Sequence, residues 1–241
     1  MPALKRLTFV TYLDMKDSVA SYIDHTLLKS VCTSADIDRL CKEALENRFA
    51  AVCIPPYLVK QAAVALKNSE IKTATVIGFP MGYSSLESKI SETREAIAHG
   101  ADELDVVINL IALKNNDWSY LSREMEKLLS VVKKNARIIK VIVESGVLSR
   151  DELLRCCEVY GGMDIDFMKT STGYAEKGAS VSDVQLMRKN LPDNIKIKAS
   201  GGIRHYNFAV ELLEAGAGRL GCSASLQILQ EEKQAIPIKG I

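Results

Sequence analysis

The chain has 241 residues, of which 47% are hydrophobic and 25% charged, and this composition is typical of a soluble globular protein with a sizeable core. The formal net charge of +1 gives no bulk electrostatic reason to expect nucleic acid or an anionic membrane as a partner, so local groups must hold any anionic ligand. No run of about 18 apolar residues occurs in the sequence, so we expect no membrane span.

Cysteine and histidine usage bears on the compartment and on metal binding. The six cysteines are irregularly spaced without a C-x-x-C pair, and we recognise no secretion signal, so we expect reduced thiols in a cytoplasmic protein. The three histidines form neither an H-x-x-x-H nor an H-E-x-x-H pattern. We therefore expect no metal site and no other cofactor.

Short apolar runs alternate with amphipathic segments along the whole chain. Near-continuous hydrophobic runs of this kind are typical of buried parallel strands. In chain order, the eight predicted strands are "SYIDHTLL", "FAAVCIP", "TATVIGFP", "ELDVVINL", "RIIKVIVES", "DIDFMKTS", "IKIKASGG" and "GRLGCSA".

Helical periodicity is clear between most of these runs. The first helix, "SADIDRLCKEALENR", has Ser34 as its N-cap candidate, and "SLESKISETREAIAHG" ends at Gly100, a C-cap candidate. In "SRDELLRCCEVYGG", Ser149 and Glu152 form a capping-box pattern. The other predicted helices are "DWSYLSREMEKLLSVVKKN", "SVSDVQLMRKNL", "RHYNFAVELLEAGAG" and "ASLQILQEEK".

Eight strand–helix alternations predict an α/β fold, a single (β/α)8 TIM barrel that spans residues 1–241. We expect residues 1–20 to form an additional N-terminal helix that caps the bottom of the barrel. The alternative is an open doubly wound sheet. Such a sheet usually carries G-x-G-x-x-G after its first strand, and that motif is absent there.

The segment "DFMKTSTGY" places Lys169 at the end of the sixth predicted strand. Active sites of such barrels lie at the C-terminal ends of the strands. A lysine there usually reaches solvent or pairs with a carboxylate, but Lys198 lies equivalently on the seventh strand. Neighbouring ammonium groups disfavour one another. The two lysines are therefore either independent ion-paired residues or a device that makes one amine a nucleophile for a Schiff base.

Other polar residues lie near the ends of the predicted strands. Asp105, on the fourth strand, either relays protons for such an amine or forms a structural ion pair with one of the lysines. Asp24 and Lys140 are candidates for a pair across the barrel, and Glu144 ends the fifth strand. Cys53 is a weak signal, because buried cysteine is common.

Glycine-rich segments follow the last two strands, in "SGGIRH" and "GCSASL". Loops at these two positions commonly bind phosphate in barrels, because glycine lets backbone N–H groups approach an anion and the next helix adds its N-terminal dipole. The "TSTG" segment after Lys169 adds hydroxyl groups, including that of Thr172, and a further glycine. Together these segments predict a phosphate site.

Taken together, these segments resemble the deoxyribose-phosphate aldolases. The resemblance extends from "IDHTLLK" to "GCSASL" and depends most on "KTSTG" and "KASGG". It implies a class I aldolase of deoxyribose catabolism that reversibly cleaves 2-deoxy-D-ribose 5-phosphate to D-glyceraldehyde 3-phosphate and acetaldehyde. It also implies that the ligands are small phosphorylated sugars and aldehydes, that no cofactor is needed, and that the protein is a homodimer or homotetramer.

The resemblance also implies roles for individual residues. Lys169 is similar to the family's Schiff-base lysine, Lys198 to the second lysine that perturbs it, and Asp105 to an aspartate that acts as acid or base with an ordered water. Three residues match positions around the substrate and the proton relay: Asp24, Cys53 and Lys140. Six residues match the substrate and phosphate pocket: Thr172, Gly173, Gly201, Gly202, Gly221 and Ser223.

Two departures from the family pattern are visible. Many members read Gly-x-Ser-Ser where this chain has Ala224 after Ser223, so one hydroxyl is missing, and Ser225 either replaces it or does not. Some members end in a tyrosine implicated in proton transfer, whereas this chain ends in "IPIKGI". Two other functions stay open: a Schiff-base lyase for a different sugar phosphate, and a non-catalytic barrel that binds phosphate.

Overall fold

The computed structural model describes residues 18–235, which contain a closed barrel of parallel strands paired in chain order, with the last strand beside the first. The strands are β1 (Ile23–Thr26), β2 (Ala51–Ile54), β3 (Lys72–Ile77), β4 (Glu103–Val107), β5 (Ile138–Ile142), β6 (Phe167–Lys169), β7 (Lys196–Ser200) and β8 (Arg219–Cys222). The helices are α1 (Ser34–Asn47), α2 (Val59–Ala65), α3 (Leu86–Ala98), α4 (Leu110–Lys114), α5 (Trp118–Lys134), α6 (Arg150–Gly161), α7 (Val181–Asn190), α8 (Tyr206–Glu214) and α9 (Ser225–Ala235). The predicted (β/α)8 barrel is confirmed.

Two short helices, α2 and α4, were not predicted. They have 7 and 5 residues, so neither offers the two full turns over which apolar residues recur visibly at helical spacing. The longer predicted helices are all present. No helix within residues 18–235 is both long and apolar enough to cross a bilayer.

Local capping chemistry explains where two helices begin. Helix α1 is capped by Thr33, one residue before the predicted Ser34, because the Thr33 side chain and Asp36 form a capping box. Helix α6 begins after Ser149, and its predicted capping box with Glu152 is confirmed.

The N-terminal helix predicted over residues 1–20 lies almost entirely outside the described residues. Of that segment only residues 18–20 are described, and there the chain enters a short 3₁₀ helix, Val19–Tyr22. The C-terminal "IPIKGI" segment also lies outside the described residues.

The two faces of the sheet carry different chemistry. The outward face packs against the helices in the main apolar core, through residues such as Val52, Leu104 and Ile197. The alternate residues of β2 and β3 form a separate apolar cluster: Ala51, Cys53, Ala74 and Val76, packed against Leu28 and Phe79. On the other strands the same face carries seven buried or mostly buried charged residues: Asp24, Glu103, Asp105, Lys140, Lys169, Lys198 and Arg219.

Strand register sets which of these charges are neighbours. Asp105 lies opposite Lys140 in the β4–β5 pair, Lys169 lies opposite Lys198 in the β6–β7 pair, and Lys198 lies opposite Arg219 in the β7–β8 pair. Because a one-residue slip would turn every side chain to the other face, burial of both faces holds this register firmly.

Candidate active site

Asp105 is the centre of the charged network inside the barrel. Its Oδ2 accepts hydrogen bonds from Lys169 Nζ at 2.8 Å and from Lys198 Nζ at 2.7 Å. Its Oδ1 accepts a hydrogen bond from Lys140 Nζ at 2.6 Å. All four side chains are buried. One carboxylate therefore binds the amines of three neighbouring strands.

The three amines differ in their other partners. Lys198 also pairs with Asp24, and Lys140 also pairs with Glu103 at 2.6 Å and lies 3.7 Å from Asp24. Within residues 18–235, Asp105 is the only acidic group that pairs with Lys169. Lys169 is thus the amine that the network holds least firmly.

Arg219, the first residue of β8, is the fourth basic member of this network. Its Nη1 donates to Asp24 Oδ1 at 2.6 Å and to Glu103 Oε2 at 3.2 Å. With Arg219, the network contains one more basic than acidic side chain. A neutral amine on one of the lysines would balance the interior charge.

The structure favours Lys169 as that neutral amine. Burial lowers the pKa of Lys169, Asp105 opposes this effect, and Lys198 adds to it, so the pKa lies below the ordinary lysine value. For Lys198, burial acts in the same direction, but Asp105 and Asp24 outweigh it and raise the pKa. Lys169 therefore loses its proton more readily than its neighbour, and burial contributes more to this than the second lysine.

The acidic members of the network are held as anions. Burial alone would raise the pKa of Asp105, but Lys140, Lys169 and Lys198 hold it well below the usual value. Asp24 behaves alike: burial raises its pKa, and the nearby cations, with Lys198 first, lower it overall. Both carboxylates are charged throughout the physiological pH range.

A cavity of about 290 Å³ opens above Lys169 at the C-terminal ends of the strands. Seven of the predicted site residues line it: Lys169, Thr172, Gly173, Gly201, Gly202, Gly221 and Ser223. The other five do not border it: Asp24, Cys53, Asp105, Lys140 and Lys198. These five are fully buried, so Lys169 is the one amine of the network that reaches the cavity.

At the far end of the cavity, three glycines occupy positions where a side chain would strain the backbone or lack space. Gly201 and Gly202 have φ values of +87° and +78°. A Cβ on Gly202 would meet no heavy atom within 4 Å, so this backbone faces open space. A Cβ on Gly221 would lie 2.6 Å from the Oγ of Ser200, which the barrel cannot accommodate without movement.

Two exposed cations, Lys29 and Arg204, also line the cavity, and neither was predicted as a site residue. Both lie inside motifs quoted above, Lys29 at the end of "IDHTLLK" and Arg204 in "SGGIRH". For Arg204 the available signal was its position after Gly201 and Gly202, because a phosphate held mainly by backbone N–H groups still needs positive charge nearby. No glycine-rich segment marks Lys29 in the sequence.

Ser225 does not replace the hydroxyl that is missing at Ala224. Its side chain is fully buried, and its Oγ bonds His25 Nδ1 at 2.9 Å and the Cys222 carbonyl at 3.0 Å. Ser223 is the serine of this loop that borders the cavity.

The loop that follows Lys169 is held by Glu144. The backbone N–H of Thr172 donates to Glu144 Oε1 at 3.1 Å, and the Thr172 hydroxyl donates to Oε2. Burial raises the pKa of Glu144, and these hydrogen bonds and the charge of Lys169 act against it. Glu144 thus fixes the "TSTG" loop to the end of β5, a role that was not predicted from the sequence.

Cys53 lies in the interior apolar cluster and not on the cavity wall. Burial raises the pKa of its thiol, so the sulfur stays protonated and unreactive near neutral pH. No group of three His, Cys, Asp or Glu side chains within residues 18–235 is arranged to hold a metal ion.

Comparison with known proteins identifies relatives of this chain. Residues 18–231 match the sequence model of the DeoC/LacD family aldolases. The chain is 47% identical over 219 residues to a deoxyribose-phosphate aldolase of Caldicellulosiruptor saccharolyticus, with 90% of this chain and 99% of the relative covered. For a deoxyribose-phosphate aldolase of Thermococcus gammatolerans the identity is 44% over 219 residues, with 90% and 97% covered. A solved structure, described as a tetrameric deoxyribose phosphate aldolase from Aeropyrum pernix, is 30% identical with a TM-score of 0.84, and 90% and 92% of the two chains are covered.

Proposed function

Because this chain belongs to the DeoC/LacD family of aldolases, we propose that it reversibly cleaves 2-deoxy-D-ribose 5-phosphate to D-glyceraldehyde 3-phosphate and acetaldehyde through a Schiff base on Lys169. Lys169 is the main support: it is a buried amine with a lowered pKa at the floor of a cavity whose far end is rich in glycine. The names of the two curated relatives support the choice of substrate.

The first half of the reaction forms the covalent intermediate. The neutral Lys169 amine attacks C1 of the open-chain sugar and gives a carbinolamine. Loss of water breaks the C1–O bond and leaves an iminium, which withdraws electrons from the neighbouring bonds. An ordinary lysine is neutral in only roughly one molecule in 2500 at pH 7, so the lowered pKa of Lys169 increases the reactive fraction.

The second half breaks the carbon–carbon bond. The C3 hydroxyl proton passes through a water molecule to Asp105, and the C2–C3 electrons form the C1=C2 double bond of an enamine while the iminium π electrons return to nitrogen. This step releases D-glyceraldehyde 3-phosphate. Protonation at C2 and attack of water at C1 then release acetaldehyde and free Lys169.

We assign Asp105 and Lys198 to the handling of protons beneath the cavity. Asp105 accepts hydrogen bonds from both amines through one oxygen. Its strongly lowered pKa means that any proton it takes is passed on at once, so it acts mainly as a fixed anion that orients the amines. Lys198 stays charged and opposes protonation of Lys169.

We assign the glycine-rich end of the cavity to the substrate phosphate. Gly202 presents open backbone there, Gly201 lines the cavity beside it, Ser223 adds a hydroxyl, and Lys29 and Arg204 add positive charge. A phosphate at this end and a carbonyl carbon at Lys169 would place an extended sugar along the cavity.

Trapping experiments test the proposed reaction directly. With 2-deoxyribose 5-phosphate, borohydride should inactivate the enzyme and leave a reduced adduct on Lys169, because borohydride reduces the iminium. Turnover should survive EDTA, since the iminium itself stabilises the developing charge. Loss of activity on chelation with recovery on adding zinc would contradict this chemistry, and faster trapping with another sugar phosphate would contradict the substrate.

Gly202→Asp should raise the KM for 2-deoxyribose 5-phosphate at least about tenfold, because two unit charges ~4 Å apart near a protein surface repel by about 4 kcal/mol. Gly202→Asn is the matched control, because asparagine has nearly the shape of aspartate and a similar tolerance for a φ of +78° but no charge. Steady-state kinetics with phosphorylated and unphosphorylated deoxyribose would measure both variants. Equal use of the two sugars by the unaltered enzyme would contradict the phosphate assignment.

We further propose that residues 1–241 form one aldolase domain, which works in the cytoplasm as a homodimer or homotetramer. The barrel occupies the described residues continuously, and the six cysteines are all free thiols. The Aeropyrum pernix structure, described as a tetramer, supports an oligomer.

A further inference from the structure

A buried chain of hydrogen bonds runs behind the glycine-rich end of the cavity and is not part of the charged network. His25 on β1 lies 2.7 Å from Glu43 Oε2 through its Nε2 and 2.9 Å from Ser225 Oγ through its Nδ1. The same Ser225 hydroxyl lies 3.0 Å from the carbonyl oxygen of Cys222. His25 and Ser225 are both buried. The chain therefore links α1, β1, the end of β8 and the start of α9.

Only one protonation state of His25 allows all of these contacts to be hydrogen bonds at once, as a count of the available hydrogens shows. A neutral imidazole has one N–H, and the ionised Glu43 carboxylate only accepts, so that hydrogen belongs on Nε2. Nδ1 then accepts the single hydrogen of Ser225, and none is left for Cys222. In the imidazolium both ring nitrogens donate, and the Ser225 hydrogen is free to bond the Cys222 carbonyl.

The position of Cys222 connects this choice to the cavity. Its neighbours on either side, Gly221 and Ser223, both line the cavity, and α9 begins two residues after Ser223. Cys222 also lies directly opposite His25 in the β1–β8 pair. A hydrogen bond to the Cys222 carbonyl therefore acts on the backbone that faces the substrate phosphate.

We propose that Glu43, His25 and Ser225 are positioning residues for the phosphate end of the cavity, and that His25 decides whether the Ser225 hydroxyl holds the Cys222 carbonyl or the imidazole. This inference rests on the proposed function of that cavity. In the imidazolium form the Ser225 hydroxyl at the start of α9 holds the Cys222 carbonyl at the end of β8, and in the neutral form that bond is lost.

The groups around His25 set the direction of its titration. Burial lowers the pKa of His25, and Glu43 acts against burial without overcoming it. From α1, Arg39 Nε lies 3.9 Å from the other Glu43 oxygen. The Phe49 ring, whose centroid lies 5.0 Å from that of His25, is apolar. Burial raises the pKa of the Cys222 thiol to about 12, so this thiol is neutral and adds no charge near His25. The neutral imidazole therefore prevails at neutral pH, and acidification allows the Ser225 hydroxyl to bond the Cys222 carbonyl.

Ser225→Ala tests the proposal through a comparison of substrates. We expect the KM for 2-deoxyribose 5-phosphate to rise about fivefold at a pH below the His25 pKa, the effect of one hydrogen bond, while kcat/KM for unphosphorylated deoxyribose is unchanged. The KM ratio between variant and unaltered enzyme should shrink as the pH rises through the His25 pKa, because the Cys222 bond is lost in the unaltered enzyme as His25 loses its proton. The ratio cancels the substrate's own ionisation, since the phosphate titrates identically in both assays.

The control is Ser130→Ala, which removes an exposed serine hydroxyl from α5. An equal loss with both sugars, or a KM ratio that is the same below and above the His25 pKa found by NMR, would overturn the positioning role. Failure of the proposed function would look different, because the unaltered enzyme would then show no preference for the phosphorylated sugar.

Nitrogen NMR of the histidine rings tests the same proposal without activity or a variant at Ser225. The chain has three histidines, so His25→Gln assigns the signal. We expect the neutral His25 ring to carry its hydrogen on Nε2 and to titrate below the ordinary histidine range. A neutral ring with its hydrogen on Nδ1 would overturn the hydrogen-bond assignment.

Discussion

Lys169→Met should abolish cleavage of 2-deoxyribose 5-phosphate, with a fall in kcat on the order of 10⁴-fold or more, because the nucleophile is lost. Borohydride should trap no adduct on this variant. The fold should persist, since Asp105 keeps its bonds to Lys140 and Lys198 and the remaining charged groups of the network balance. Steady-state assays, borohydride trapping with peptide mass mapping, and thermal melting measure these three results.

Lys196→Met provides the matched control for that experiment. Lys196 lies on β7 two residues before Lys198, but its side chain is exposed, with its Nζ 5.7 Å from the centre of the Phe167 ring. Its loss should leave turnover and trapping nearly unchanged. An adduct that maps to Lys198 in the unaltered enzyme would contradict the role given to Lys169.

Lys198→Leu should change the pH profile and not only the rate. Lys198 is the neighbouring cation that lowers the pKa of Lys169, so its removal should raise that pKa. The Asp105 oxygen that Lys169 and Lys198 share would then accept a hydrogen bond from Lys169 without competition from Lys198. At neutral pH, kcat/KM should fall roughly tenfold for each unit by which the pKa of Lys169 rises, because the neutral fraction of the amine falls in proportion. Activity should recover in part at higher pH, where Lys169 loses its proton without help.

Lys198→Arg separates charge from hydrogen-bond geometry at the same position. Arginine keeps the positive charge, so the pKa of Lys169 and the alkaline limb of the kcat/KM profile should stay near those of the unaltered enzyme even if the rate falls. Profiles measured from pH 5 to pH 10 for both variants decide the question. If Lys198→Leu leaves the profile unaltered, then Lys198 does not control the protonation of Lys169.

The barrel and its two lysines were predictable because they depend on local patterns. Each strand gives a short apolar run, and alternation along the run shows which face a lysine occupies. Adjacent strands of a barrel then place Lys169 beside Lys198, as the register shows.

The partners across the barrel depend on how it closes, which no local pattern contains. The contact of Arg219 with Glu103, and that of Ser225 with His25, each join residues more than 100 positions apart. For the same reason the sequence left open whether Ser225 serves the phosphate. The sequence also indicated the neighbouring lysine as a reason for one amine to lose its proton, but not that burial is the larger cause, because the extent of burial is a property of the folded chain.

The division of the site between strands and loops has a consequence for denaturation. Lys169, Lys198 and Asp105 belong to paired strands, whose amide hydrogens exchange with solvent only when large parts of the barrel open. Most of the cavity's glycines belong to loops, which open locally at lower free energy. As the urea concentration rises, the ratio of kcat/KM for phosphorylated over unphosphorylated deoxyribose should therefore fall before cleavage of either sugar is lost.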